Sequence, residues 1–208
     1  MKTMLRAGAG AALLCAVTAA CGGRGVPTDP PAQTPPGIAL VPRDAWGAKA
    51  PVLPVTRHTI DRITIHHTGV KSNPGRTLEE KLRGLQRFSQ NPGRLASGRE
   101  KPAWADVPYH YYIDIAGRVG VGREHDYVGD TNTTYDPTGH LLIVLEGNFE
   151  EETPTPAQME SLRRMIRWAA ERWDVPPERL ASHKDYAQTS CPGKSLYAEL
   201  PALRGLID

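Results

Sequence analysis

Several features that would assign a chain to a class at once are scarce or missing in this sequence of 208 residues. Its formal net charge is only +2, so charge provides no general attraction to nucleic acid, and no nucleic-acid partner is expected. No apolar run is long enough to cross a bilayer as a helix of the mature protein. No internal repeat is visible, and the length fits one folded domain with processing segments.

The first twenty residues are typical of an export signal rather than of a folded segment. Lys2 and Arg6 form a short positive start, and an apolar run follows that ends in small residues. That pattern predicts a secretory signal peptide over residues 1–20.

The residues around Cys21 resemble a bacterial lipobox, in which the cysteine is acylated, although Thr18 stands where leucine is usual. Residues 21–42 are rich in glycine and proline and are predicted to form the lipid-attachment site and an extended tether. The resemblance implies an exported, membrane-anchored lipoprotein facing the periplasm or the cell exterior. The alternative is ordinary cleavage without a lipid.

Cysteine is also scarce, with three residues in the whole chain. Cys15 is removed with the signal, and Cys21 would carry the lipid, so Cys191 is left alone in a compartment where disulfides form readily. A lone exported thiol is a liability unless something holds it, and a metal ion would do so. If Cys21 is not acylated, a disulfide between Cys21 and Cys191 is the alternative.

Residues 43–208 are predicted to form a single folded domain in which strands alternate with helices. Strands are expected at 60–66, 111–115, 118–122 and 141–145. One helix is expected at 77–88, a second begins at Pro156, and a third, interrupted at Pro201, covers 196–206. Residues 90–101 are expected to form a surface loop. This alternation indicates an α/β domain with a mixed central β-sheet of about five or six strands flanked by helices.

Two separate segments contain residue types that bind zinc. His183 and Cys191 lie eight residues apart across a loop that ends in Pro-Gly, and such a loop can bring both side chains to one ion. His66 and His67 end a predicted strand, which is a rigid support for a side chain that points into a cleft. One histidine alone is more often bonded to backbone, but the two segments together favour a metal site. Since adjacent strand residues point to opposite faces, only one of His66 and His67 should face the metal.

A third segment is rich in tyrosine. Tyr109 lies in Asp-Val-Pro-Tyr-His, and a tyrosine beside a metal could donate a hydrogen bond to a developing oxyanion. Tyr111 and Tyr112 follow within a predicted strand, where packing is the expected role.

Six motifs occur in a fixed order along residues 60–197. They are Ile-His-His-Thr (65–68), Asp-x-x-Tyr-His (106–110), Asp-x-x-Gly-Arg (114–118), Gly-Asn-Phe (147–149), Thr-Pro-Ala-Gln-Met (155–159) and His-x₇-Cys-Pro-Gly (183–193). In this order they resemble the peptidoglycan recognition proteins and the phage-lysozyme-like N-acetylmuramoyl-L-alanine amidases. The resemblance implies the amidase-like fold and hydrolysis of the amide bond between N-acetylmuramic acid and L-alanine.

The resemblance also implies roles for individual residues. Zn²⁺ would be held by His66, His183 and Cys191, which leaves the fourth position open for water, as in catalytic zinc sites. The catalytic tyrosine falls on Tyr109 and the second catalytic position on Thr189.

Further positions match contacts to substrate, namely His67, Thr68 and Arg123. The expected partner is peptidoglycan or a muropeptide, and the chain is expected to act as a monomer. Departures from the family pattern include Ser89 after Phe88 and the additional residues 90–101. These departures fall where substrate would lie, so they leave the substrate preference open. None of them falls on a zinc position, so the resemblance still implies the metal chemistry.

Two functions remain open at this point. One is the zinc amidase, and the other is a non-catalytic module that binds muropeptides. The family implies that sensors often lose the cysteine ligand, so Cys191 together with Tyr109 favours the enzyme. A third function is that of related amidases that clear anhydro-muropeptides; some of these are cytosolic with an aspartate ligand, and the signal peptide and Cys191 disfavour that variant. A fourth, a purely structural wall anchor, would not need a three-ligand metal site.

Overall fold

The computed structural model describes residues 34–95 and 98–207. The signal peptide, Cys21 and most of the tether lie outside these residues. The strands are β1 (Leu40–Val41), β2 (Arg62–His67), β3 (Gly93–Arg94), β4 (Glu100–Lys101), β5 (Tyr111–Ile113), β6 (Val119–Val121), β7 (His140–Leu145) and β8 (Leu180–Ser182). The α-helices are α1 (Leu78–Gln90), α2 (Pro156–Trp173), α3 (Lys194–Tyr197) and α4 (Leu200–Arg204), and short 3₁₀ turns occupy Pro177–Arg179 and His183–Asp185.

Six of the strands form one sheet in the order β1-β6-β5-β7-β2-β8. The β5–β6 pair is antiparallel, as the hairpin pattern predicts, and the other neighbouring pairs are parallel. Every residue of β7 is buried. That explains its continuous apolar run, because a parallel strand covered on both faces has no solvent side. The predicted α/β class with a mixed central sheet is confirmed.

The two faces of this sheet pack against different helices. Ile63 and Ile65 of β2 are buried on the face covered by α2, which contributes Met159, Leu162, Ile166 and Ala169. On the opposite face, Leu78 and Leu82 of α1 pack with Trp46, Tyr112 and Val144. Because side chains alternate along a strand, His66 of β2 points to the α1 face.

Both long helices begin with the predicted capping boxes. Thr77 accepts from the backbone N–H of Glu80, whose side chain accepts from the backbone of Thr77, and Thr155 and Gln158 form the same reciprocal pair. Each box satisfies two backbone N–H groups that have no partner within the helix. Among residues 34–95 and 98–207, no helix is long and apolar enough to cross a bilayer.

Some elements differ from the sequence-based expectation at the edges of the fold. Leu40–Val41, which were expected in the tether, form β1 beside β6, so the fold begins before Arg43. β8 was not predicted, since three residues are too few to show a period. The C-terminal segment is two helices, and Pro201 lies in the first turn of α4, where its missing N–H costs nothing.

The segment 90–101 was expected to be an irregular surface loop, but it contains the antiparallel ribbon β3–β4. The buried Lys101 anchors this ribbon to the end of α1. Its Nζ donates to the carbonyl oxygens of Ser89 and Asn91 at 3.0 and 2.8 Å. These bonds satisfy carbonyl groups at the helix C-terminus that lack intrahelical donors.

Because of the buried His110, we expect the free energy of unfolding to decrease in acid. This residue is fully buried, its Nδ1 accepts from Leu142 N at 2.8 Å, and its Nε2 donates to Tyr127 O at 2.9 Å. Burial lowers the pKa of His110 to about 3. In the unfolded state the pKa of His110 is about 6.5. At pH values between about 3 and about 6.5, the imidazole therefore binds a proton in the unfolded state but not in the folded one. The free energy of unfolding should decrease as pH falls through this interval, by up to about 1.4 kcal/mol per pH unit.

The measurement is denaturant unfolding from pH 7 to pH 4, with a chelator present so that metal binding makes no contribution. His110→Gln keeps a donor and an acceptor but does not titrate, so its acid slope should be shallower than that of the wild type. Identical slopes would remove His110 from the acid response.

Candidate metal centre and adjoining groove

Three side chains from two distant segments of the sequence converge near one edge of the sheet. β2 and β8 are parallel neighbours in which Ile65 pairs with Ser182. The next residue in each segment, His66 within β2 and His183 directly after β8, therefore lies beside the other. The ligand atoms of His66, His183 and Cys191 all lie within 4.8 Å of one another, and all three residues are buried.

The loop after β8 returns Cys191 to His183 through backbone and side-chain bonds. Lys184 N donates to Cys191 O at 3.0 Å, which closes the loop. Ser182 N and Oγ donate to the Asp185 carboxylate at 2.7 and 2.8 Å and fix its first turn. Cys191 carries a free thiol, and its Sγ lies 3.6 Å from His66 Nδ1.

Burial sets the protonation of these groups. Burial, reinforced by the neighbouring His183, holds the pKa of His66 well below its usual range. Burial likewise lowers the pKa of His183 to about 4, so both imidazoles are neutral at pH 7 and have a lone pair to offer. Burial raises the pKa of the Cys191 thiol to about 12. A bound cation reverses that last preference, because thiols coordinate in the ionised form.

The cluster fits Zn²⁺ better than the hard cations. Two imidazoles and one thiol are zinc donors, and three protein ligands leave a position open. Ligand atoms of a tetrahedral site lie roughly 3.2–3.8 Å apart. The separation of Cys191 Sγ and His66 Nδ1 falls in that range, and the whole set spans no more than 4.8 Å.

Tyr109 is half-buried beside this cluster. Its ring centroid lies 5.1 Å from that of His66. It lines a small cleft of about 40 Å³ together with His66 and His183, and it also lines a groove of about 410 Å³. Burial, followed by the charge of Cys191, raises the pKa of Tyr109. The phenol therefore remains a hydrogen-bond donor at neutral pH.

The groove lies on the α1 face and has a polar floor that the sequence did not reveal. Lys81 Nζ and Glu146 Oε2 form a buried ion pair at 2.7 Å. Glu146 also accepts from the backbone N–H groups of Asn73 and Ile115 at 2.9 and 3.2 Å. These bonds tie α1, β7 and the segment after β2 into one wall. The sequence held one indication of this ion pair, namely that the charged Glu146 directly follows the apolar strand β7.

Part of the lining of the groove is apolar and aromatic. Phe88, Leu95 and Trp104 line it, and Phe88 is 46% exposed. Phe88 and Trp104 meet edge to face with centroids 6.4 Å apart. Basic side chains of Lys71 and Arg76 line the same groove. It therefore offers apolar, aromatic and cationic surface beside the metal cluster.

His67 is placed on the other side of β2 from the cluster. Its side chain is buried, and its Nδ1 accepts from Phe149 N at 3.2 Å. Its backbone N–H donates to Cys191 Sγ at 3.4 Å. The His67 side chain is thus held inside the protein by Phe149, and its contact with a muropeptide stays a prediction.

Arg123 is likewise drawn into the scaffold. It is 3% exposed and donates to the carbonyl oxygens of Val107 at 3.0 Å and of Val128, and it pairs with Asp130. Its donors are thus directed at the protein, and the substrate contact that the resemblance implies stays a prediction. The sequence could not separate a buried structural arginine from a substrate-binding one.

The remaining two candidates lie near the cluster. Thr68 lines the groove, and its Oγ1 accepts from Gly147 N at 3.0 Å. Thr189 Oγ1 accepts from Cys191 N at 3.2 Å, so this hydroxyl holds the loop that presents the thiol.

Comparisons with known proteins agree on the family. A family model described as N-acetylmuramoyl-L-alanine amidase matches residues 56–194, which include His66, His183 and Cys191. Peptidoglycan-recognition protein SD of Drosophila simulans is 27% identical over 169 residues, which cover 77% of this chain and 83% of that protein.

Solved structures give the same answer. The N-acetylmuramoyl-L-alanine amidase LysC from Clostridium intestinale is 26% identical with a TM-score of 0.63, covering 82% of this chain and 99% of that one. Peptidoglycan recognition protein LE, solved in complex with tracheal cytotoxin, is 25% identical with a TM-score of 0.66, covering 79% and 93%. With this match over more than half its length, the chain belongs to the N-acetylmuramoyl-L-alanine amidase family.

Proposed function

We propose that this protein is a zinc-dependent N-acetylmuramoyl-L-alanine amidase that hydrolyses the bond between N-acetylmuramic acid and L-alanine in peptidoglycan or its fragments. The observation that carries the proposal is the convergence of His66, His183 and Cys191 within 4.8 Å. Tyr109 lines both the small cleft that contains His66 and His183 and a groove of about 410 Å³, which is large enough for part of a muropeptide.

Each group has a part in amide hydrolysis. Zinc bound by His66, His183 and Cys191 would supply Lewis-acid polarisation of the scissile carbonyl and an activated water. The phenol of Tyr109, whose pKa is raised by burial, would keep its proton and donate a hydrogen bond to the oxyanion that develops on the same carbonyl. The groove holds the rest of the substrate so that the amide lies at the open side of the cluster.

The second candidate is a non-catalytic module that binds muropeptides. Two similar proteins support this candidate: one carries the name peptidoglycan-recognition protein, and another recognition protein was solved in complex with tracheal cytotoxin. A binder needs the groove but has no need of three converging ligands with an open position. The amidase is therefore the better account of the cluster, and both accounts share the groove.

Digestion of purified sacculi tests the choice directly. The full mature protein with added zinc should release stem peptides that begin with L-alanine, identified by mass, and a chelator should stop the release. Binding to sacculi without released peptide, at a zinc content of one per chain, would instead support the binding module.

We propose further that the mature protein is tethered to a membrane through an acylated Cys21 and acts outside the cytoplasm. The lipobox-like residues before Cys21 and the proline-rich segment after it support this. Expressed in bacteria with its own signal, the protein should partition into the detergent phase, and Cys21→Ala should move it to the aqueous phase. Recovery of the wild type as a soluble species with a free Cys21 thiol would refute the tether.

A further inference from the structure

The segment between β6 and β7 reaches the candidate ligand His183. Thr133 Oγ1 lies 2.8 Å from His183 Nε2, within hydrogen-bond distance. The hydroxyl oxygens of Thr131 and Thr133 are 2.8 Å apart, and Thr133 N donates to Thr131 Oγ1 at 3.1 Å. The ring of Tyr135 packs on the same imidazole with centroids 5.1 Å apart. The His183 ring is thus held by residues that the sequence analysis did not consider.

The bond to Thr133 bears on which nitrogen of His183 can bind a metal. A neutral imidazole has one N–H and one lone pair, so a hydrogen bond at one nitrogen determines what the other offers. When Nε2 donates to Thr133 Oγ1, the lone pair is on Nδ1. His66 also directs its Nδ1 at the cluster, since that atom is 3.6 Å from Cys191 Sγ.

The threonine pair can support this direction of the bond. A hydroxyl that accepts from His183 Nε2 still has its own proton to place. Thr131 Oγ1 is 2.8 Å away and can accept it, because that oxygen has two lone pairs and the backbone N–H of Thr133 uses only one. The distances therefore allow a chain of donated hydrogen bonds from His183 through Thr133 to Thr131.

We propose that Thr133 is a positioning residue for the metal centre, which accepts a hydrogen bond from His183 Nε2 and so leaves Nδ1 free to bind Zn²⁺. The inference rests on the proposed zinc site. Metal-bound histidines commonly donate their second N–H to such a partner, and removing it typically weakens metal binding roughly 10- to 100-fold.

The test is the zinc affinity of the folded protein, measured by competition with a chromophoric chelator. Thr133→Val removes the hydroxyl at nearly constant volume and should weaken zinc binding roughly 10- to 100-fold. Thr133→Ser restores the hydroxyl and should stay within a few-fold of the wild type. The exposed neighbour Thr134 offers the matched control, and Thr134→Val should bind zinc as the wild type does. The zinc-free proteins should unfold at similar temperatures, which separates loss of ligand positioning from general loss of stability.

The outcomes distinguish the inference from the function on which it rests. A wild type that binds no zinc overturns the proposed function. A wild type that binds zinc, with a Thr133→Val variant of equal affinity, overturns only the role of Thr133. Equal weakening in Thr133→Val and Thr133→Ser also overturns it, since the hydroxyl would then be irrelevant. Should Thr133→Val fail to fold, Thr133→Ala makes the same comparison with less volume to accommodate.

Discussion

Replacing Cys191 by alanine is expected to remove both zinc binding and amide hydrolysis. The change takes away the thiol donor of a three-ligand cluster and leaves His66 and His183 alone. Metal polarisation of a carbonyl is worth several kcal/mol, so we expect kcat/KM to fall by more than about 10³-fold. The measurements are zinc content after dialysis and stem-peptide release from sacculi.

The neighbour Ser190 provides the matched control, because it is exposed in the same loop. Ser190→Ala should retain zinc and activity. If Cys191→Ala kept one zinc per chain and wild-type turnover, Cys191 would not be a ligand, and the cluster would need a different explanation.

Tyr109→Phe is expected to lose most of the turnover while zinc affinity changes little. The Tyr109 ring lies beside that of His66 and lines the same cleft, but Tyr109 is not one of the three donors. Loss of a donor aimed at a developing oxyanion typically lowers kcat about 10²- to 10³-fold. Steady-state kinetics on a defined muropeptide, together with chelator competition, would separate the two quantities.

The Tyr127→Phe variant is a control for this experiment, because the Tyr127 phenol contacts Arg57 on the surface at 3.3 Å. Thr189→Val should cost less than Tyr109→Phe, since the Thr189 hydroxyl is occupied with Cys191 N. Near wild-type turnover in Tyr109→Phe would remove that residue from the mechanism.

Much of the scaffold could be predicted because its signals are local. The capping boxes at Thr77 and Thr155 depend on residues three positions apart, and both form as expected. The run that became β7 needs no partner to be recognised as a strand buried on both faces. Alternation along β2 predicted that one of its two final histidines would face the cluster, and the structure places His66 there.

Short elements and buried polar contacts could not be predicted in the same way. β1 has two residues and β8 has three, so neither can show a period, and their pairing with β6 and β2 depends on strand order. Arg123 is charged and was expected to contact substrate, yet the fold buries it among carbonyl groups. Burial of one side chain depends on distant segments that local sequence does not specify.

By itself the sequence determined the donor chemistry: a histidine at a strand end, a histidine and a cysteine in one loop, and a tyrosine in a motif that resembles the amidases. Only the tertiary structure decided that these residues meet. His66 and His183 come together because β2 and β8 are parallel neighbours in register, although more than a hundred residues separate them. The structure likewise decided that Thr133 contacts His183 and that Lys81 pairs with Glu146. Such contacts follow from strand order and helix packing, which arise from the burial of apolar surface over the whole chain.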